Sequence, residues 1–77
     1  MNKTIRKRIN ELIEELQSIR DEMEIIADEE QEKFDNLPEG IQASERGETF
    51  EFAAESLQSG MDSINEAIEY FQEAIEY

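Results

Sequence analysis

Two heptad patterns, one in each half of the chain, leave few folds open. In the first half Ile5, Ile9, Leu12, Leu16, Ile19, Met23 and Ile26 follow one another at alternating steps of four and three. In the second half Phe50, Ala54, Leu57, Met61, Ile64, Ile68, Phe71 and Ile75 do the same. Apolar residues at this spacing line one side of an α-helix, whereas a strand would send alternate residues to opposite faces. Two such helices joined by a short connection predict an all-α, antiparallel two-helix hairpin. The expected layout is a single domain over 1–77. It has a first helix over about 3–36, a connection over 37–44 containing a short turn, and a second helix over about 45–77.

The heptad positions are assigned as follows. Ile9, Leu16 and Met23 take position a of the first helix, and Ile5, Leu12, Ile19 and Ile26 take d. The next a position is Glu30, where the strict repeat lapses. Ala27, Phe34 and Leu37 carry the stripe onward in steps that fit a straighter helix. Ile13 widens the stripe, and Ile25 lies off it. In the second helix Ala54, Met61, Ile68 and Ile75 fall at a, and Phe50, Leu57, Ile64 and Phe71 at d. The segment Glu66-Ala67-Ile68-Glu69-Tyr70 returns seven residues later as Glu73-Ala74-Ile75-Glu76-Tyr77.

A column of small residues, Ala53, Gly60, Ala67 and Ala74, runs beside that second seam and permits close approach of a neighbour. The apolar face is therefore three heptad positions wide, more than one partner helix covers. Assembly into a helical bundle is expected, a dimeric four-helix bundle or a higher oligomer. The oligomer interface is expected at Ala53, Gly60, Ala67 and Ala74 together with Met61, Ile64, Ile68 and Phe71. Phe52, Tyr70 and Tyr77 lie off the seam.

Composition points the same way. A chain of 77 residues buries a thin core, and without cysteine neither a disulfide nor a thiolate metal site reinforces it. Association with a second copy is the remaining common remedy. The net charge of −14 disfavours direct binding to nucleic acid or an anionic membrane, since both require cationic side chains against phosphate. It suits solubility, or a basic protein surface. No apolar run is long enough to span a bilayer, and the basic residues near Met1 precede no export-type apolar stretch. A cytoplasmic location is the expectation.

Charge is unevenly placed along the first helix. Lys3, Arg6, Lys7 and Arg8 sit at its N-terminal, partially positive end, while Asp28, Glu29, Glu30 and Glu32 sit toward the other. A hairpin is expected to set Glu69, Glu73 and Glu76 beside the basic cluster.

In the connection, Asn36 is expected to cap a short turn with Pro38 near its start, Gly40 to close that turn, and Ile41 to cover the hairpin end. Ser44 is the natural N-cap of the second helix, with Glu45 and Glu48 in the favoured first turn. Gly47 is out of place inside a helix, where it costs about 1 kcal/mol relative to Ala. Either a close neighbour requires it, or the helix starts later, at a Thr49 cap.

The string Asn36-Leu37-Pro38-Glu39, then Gln42, then Ser44-Glu45-Arg46-Gly47-Glu48, followed by repeated Glu-Ala-Ile units, resembles small uncharacterised helical-hairpin proteins of phage and prophage genomes. The resemblance covers the second half and the end of the first helix. It implies a mobile-element origin and, with it, interference with a host system. It assigns no activity and no functional residue.

The residues argue against catalysis. No His or Cys supplies a general base or thiolate nucleophile, and no Ser or Thr has an evident activating partner. No calcium-loop pattern occurs, and a carboxylate di-metal site would need a His that the chain lacks. No enzyme activity, metal or cofactor is expected. Glu30, facing the seam, is the one acid out of place there, and its plainer reading is an exposed residue near a helix end.

The sharper candidate is an anion site at the start of the second helix. There Ser44, Arg46 and Gly47 offer a hydroxyl, a guanidinium and close backbone access, with Arg20 and Lys33 as further cations. The competing reading is that Ser44 simply caps and Arg46 pairs with Glu39, Glu45 or another subunit. Two functions follow. One is a non-catalytic acidic oligomer that inhibits a host defence system by sequestering or blocking a protein partner. The other is an oligomeric sponge for an anionic nucleotide.

Overall fold

A cap, a long run without helix breakers and a proline bound the first element. In the computed structural model, which describes residues 1–76, α1 spans Lys3–Asp35. The Asn2 side chain accepts a hydrogen bond from the Ile5 amide at 2.8 Å and satisfies one of the orphan donors of the first turn. No Gly or Pro interrupts the helix before position 38. Past Asp35 the chain tightens: Asn36 donates to the Glu32 carbonyl and Leu37 to that of Phe34. The single turn α2, Glu39–Gln42, follows Pro38, and α3 runs Glu45–Glu76. Tyr77 lies outside the described residues.

Asn36 therefore ends α1 and does not cap the turn after it. Pro38 occupies the capping position of α2, with no side-chain hydrogen bond. The helix bounds otherwise agree with the heptad reading to within a residue.

α1 and α3 pack antiparallel, and their contact strip is narrow. Its buried apolar residues are Ile13 and Ala27 from α1 with Ala54, Met61 and Ile68 from α3. Ile9, Leu16 and Phe34 flank it half-buried on one helix, and Leu57 and Ile64 on the other. Position a of α3 points inward, as expected. On α1 the inward column is the one through Ile13 and Ala27, one step round from the expected seam. Ile13, read from the sequence as a widening residue, is only 4% exposed.

The consequence is that the d column of α1 is left outside. Ile5, Leu12, Ile19 and Ile26 are 44%, 55%, 45% and 44% exposed, and being seven apart they form one continuous apolar row. Leu12 shares a shallow apolar groove with Ile9, Leu16, Phe71 and Ala74, which places the α1 row and the Phe71 column on the same side of the hairpin. The opposite side is polar: Arg20, Asp21, Glu24, Gln58 and Asn65 line the groove there. The hairpin is thus two-sided, like a single amphipathic element made of two helices.

Its dimensions follow from having only two long helices. The Cα atoms extend over 58 × 15 × 12 Å with a radius of gyration of 17.4 Å. A globular chain of this length would have a radius of about 11–12 Å. The accessible surface is 5979 Å², against roughly 4,900 Å² for a compact monomer of this mass.

Because the contact strip is so thin, each residue in it matters. Ile13→Ala and Ile68→Ala are each expected to lower unfolding free energy by about 2–4 kcal/mol, measured by urea denaturation followed by circular dichroism. Ile25→Ala, at a residue 60% exposed and off the strip, is expected to change it little.

Candidate functional site

The connection is built around Gln42, a residue that the sequence pattern did not single out for a role. Its side-chain amide donates to the Phe34 carbonyl at 3.1 Å and the Leu37 carbonyl at 3.0 Å, with a longer contact to that of Asp35. These carbonyls belong to the end of α1 and the turn beyond it, so Gln42 supplies donors that the helix end lacks. Asn2 was missed in the same way, although an Asn ahead of the first apolar-periodic residue is a standard start signal.

Ser44 caps α3, as expected. Its backbone carbonyl accepts from the Glu48 amide, its hydroxyl donates to the Ile41 carbonyl, and the Gly47 amide approaches the hydroxyl oxygen at 3.5 Å. Thr49 is inside the helix and returns its hydroxyl to the Glu45 carbonyl at 3.0 Å, so it is not a later cap. Ile41, expected to cover the hairpin end, is 37% exposed.

Gly47 has a steric cause. A Cβ added there would overlap the backbone carbonyls of Gln42 and Ile41. The chain turns so tightly between α2 and α3 that only hydrogen fits on that face of the helix. Those carbonyl oxygens also occupy the ground beside the first turn of α3 where an anion would sit, and they carry the wrong partial charge for one. The expected role of Gly47, close backbone access for a ligand, is instead taken by the protein's own chain.

The remaining members of the expected anion site do not converge. Arg46 is exposed and makes no ion pair among the described residues, with Glu39 and Glu45 included. Lys33 pairs with Glu30 at 3.0 Å, and this hydrogen bond, with the attraction of the same carboxylate, raises its ammonium pKa above the ordinary value. Glu30 is thereby accounted for as half of a local ion pair. Arg20 lies about 20 Å along α1 from the connection, from a 1.5 Å rise per residue. Its Nη1 donates to Asn65 Oδ1 at 2.8 Å, bridging α1 and α3 on the polar side, and it also contacts Asp21 at 3.2 Å.

The expected oligomer contacts divide. Met61 and Ile68 are buried inside the hairpin, at 6% and 4% exposure, and serve its own seam. Both are therefore corrected from an interface role: a chain with only two long helices uses its most central column intramolecularly. Ala53, Ala67 and Ile64 are half-buried. Gly60, Ala74 and Phe71 are exposed, and a Cβ at Gly60 would meet nothing. The most exposed apolar row belongs to α1, at Ile5, Leu12, Ile19 and Ile26, none of which the sequence placed in the interface. Phe52 and Tyr70 also stand well exposed.

The basic cluster at the start of α1 forms no ion pair among the described residues. Among the described residues the ion pairs are Arg20–Asp21 and Lys33–Glu30, so Lys3, Arg6, Lys7 and Arg8 make none. Antiparallel packing places Glu69, Glu73 and Glu76 at the same end of the hairpin as the cluster, with no ion pair between them among the described residues. Among the described residues no helix is long and apolar enough to cross a membrane, and no group of acidic side chains is arranged to hold a metal ion. No protein-family model, curated protein or solved structure matches the chain.

Gly47 gives a test with a sign. Helix propensity alone makes Gly47→Ala stabilising by about 1 kcal/mol. Overlap with the Gln42 carbonyl makes it destabilising by about 1–3 kcal/mol. A lowered melting temperature for Gly47→Ala, beside an unchanged one for Arg46→Ala, is expected from thermal unfolding.

Proposed function

We propose that this protein is a non-catalytic, acidic binding protein that works as a homo-oligomeric helical bundle and blocks a basic protein partner. One observation carries the reading: a continuous row of exposed apolar side chains, Ile5, Leu12, Ile19 and Ile26, runs along one side of the hairpin, while the remaining surface is rich in carboxylates. The apolar side calls for a second copy of the chain. Its surplus exposure, roughly 1,000 Å² above a compact monomer, is of the order of the ~800 Å² that each partner contributes to a standard protein interface. With that side closed, the surface left to other molecules is that of an object with a net charge of −14 per chain. Such a field steers basic proteins toward it and competes with nucleic acid for their clefts.

The likeness of the connection to phage and prophage proteins gives the proposal its setting, a mobile-element product acting in the cytoplasm on a host defence protein. A sponge for an anionic nucleotide has less support, since Gln42 and Ile41 present carbonyl oxygens at the start of α3 and the candidate cations are dispersed.

Multi-angle light scattering at micromolar concentration is expected to give a dimer or a larger closed oligomer. Ile19→Lys, which leaves the hairpin seam intact, is expected to yield monomer. Immobilised protein is expected to retain nucleic-acid-binding proteins from host extract at low ionic strength, and to release them on addition of salt or a competing DNA duplex. Retention indifferent to both would overturn the electrostatic reading, and a folded wild-type monomer would overturn self-assembly.

A further inference from the structure

We infer that two copies pack apolar side against apolar side and head to tail, with the tip of each hairpin beside the open end of the other. The inference rests on the self-assembly reading above and adds its direction and its contacts.

Charge decides the direction. Between residues 28 and 51, the tip of the hairpin, the chain carries nine carboxylates against two cations. The open end is nearly balanced, with Lys3, Arg6, Lys7 and Arg8 on α1 and Glu69, Glu73 and Glu76 on α3. A dimer with both tips at one end would hold two strongly acidic surfaces within a Debye length of about 8–10 Å, where salt screens them poorly. Reversing one copy separates the tips by nearly the length of the molecule, 58 Å. It also brings the basic first turns of α1 to the same end as the partner copy's acidic turns.

Symmetry then fixes which helices meet. In a head-to-tail pair of hairpins stacked face to face, the two-fold axis crosses the helices, so α1 lies over α1 of the other copy, antiparallel to it. Ile19 is the central residue of Lys3–Asp35. With the axis there, Ile19 meets its own counterpart and Leu12 meets the partner's Ile26. In this register Leu12, Ile19 and Ile26 complement one another, and Ile5 falls opposite the partner's Lys33. Along the helix axis Lys3, Arg6 and Arg8 come level with the partner's Asp35, Glu32 and Glu30, with Lys3 and Arg6 lining a polar groove beside Lys7 and Glu11. In the tip-to-tip alternative α1 lies over α3 instead, and the two Ile19 side chains stand on a diagonal, out of contact.

The absence of native cysteine makes single thiols unambiguous reporters. Gly40 sits at the tip, where a Cβ meets nothing, so Gly40→Cys accepts a spin label without disturbing the turn. Dipolar spectroscopy of the labelled protein is expected to give a distance near the 58 Å length of the molecule. A distance below half that length would overturn the head-to-tail direction. Ile19→Cys, at a half-exposed site, is expected to form an intermolecular disulfide under mild oxidation. A dimer that forms none would overturn the central register. Light scattering on both variants separates these results from failure of self-assembly itself, which would show as monomer.

Discussion

Two helices can bury only the strip along which they touch, and this limit governs the rest of the molecule. Each helix of the hairpin carries an apolar face about three heptad columns wide. The contact between α1 and α3 consumes the columns through Ile13 and Ala27 on one side and through Ala54, Met61 and Ile68 on the other. Much of what is left over lies on one side, because both stripes extend the same way from the shared seam, as the groove between Leu12 and Phe71 records, while Ile25, Phe52 and Tyr70 stand outside it. The opposite side closes with polar side chains, where Arg20 reaches across to Asn65. A chain with three or four helices would have folded that leftover surface inward. This one presents it.

The connection obeys a different constraint, the satisfaction of backbone groups at a sharp reversal. Gln42 supplies donors to the end of α1, Ser44 accepts at the start of α3, and the Gln42 carbonyl presses against Gly47. These residues form one mechanical unit. The unusual composition of this stretch thus has a folding cause at Gln42, Ser44 and Gly47. Within the connection, Arg46 makes no ion pair among the described residues.

Much of the architecture was legible because helical periodicity is a local property. Steps of four and three forced two helices, Asn36 to Pro38 marked where the first ends, and Ser44 marked where the second begins. The seam was misjudged by one column on α1, and for a clear reason. A heptad pattern shows which residues are apolar but not which of several adjacent apolar columns a neighbour will choose, and Ile13 and Ile5 look equivalent until α3 is in place. The candidate site was less legible. Ser44, Arg46 and Gly47 stand close in sequence and read as a phosphate cradle, yet the carbonyls that fill the cradle come from Ile41 and Gln42, whose position depends on how α2 folds back.

The connection between residues 36 and 48 shows the division clearly. The sequence by itself determined two long helices, a tight reversal between them, an acidic surface and an apolar face too wide for one neighbour. All of these depend on spacing, propensity and charge, which act over a few residues. Only the tertiary structure decided that Gly47 is required by a backbone carbonyl five residues earlier. Only the tertiary structure turned Ile13 inward, and with it left Ile5, Leu12, Ile19 and Ile26 facing out. Those outcomes depend on which surfaces of two rigid helices meet, and packing settles that across the whole hairpin at once.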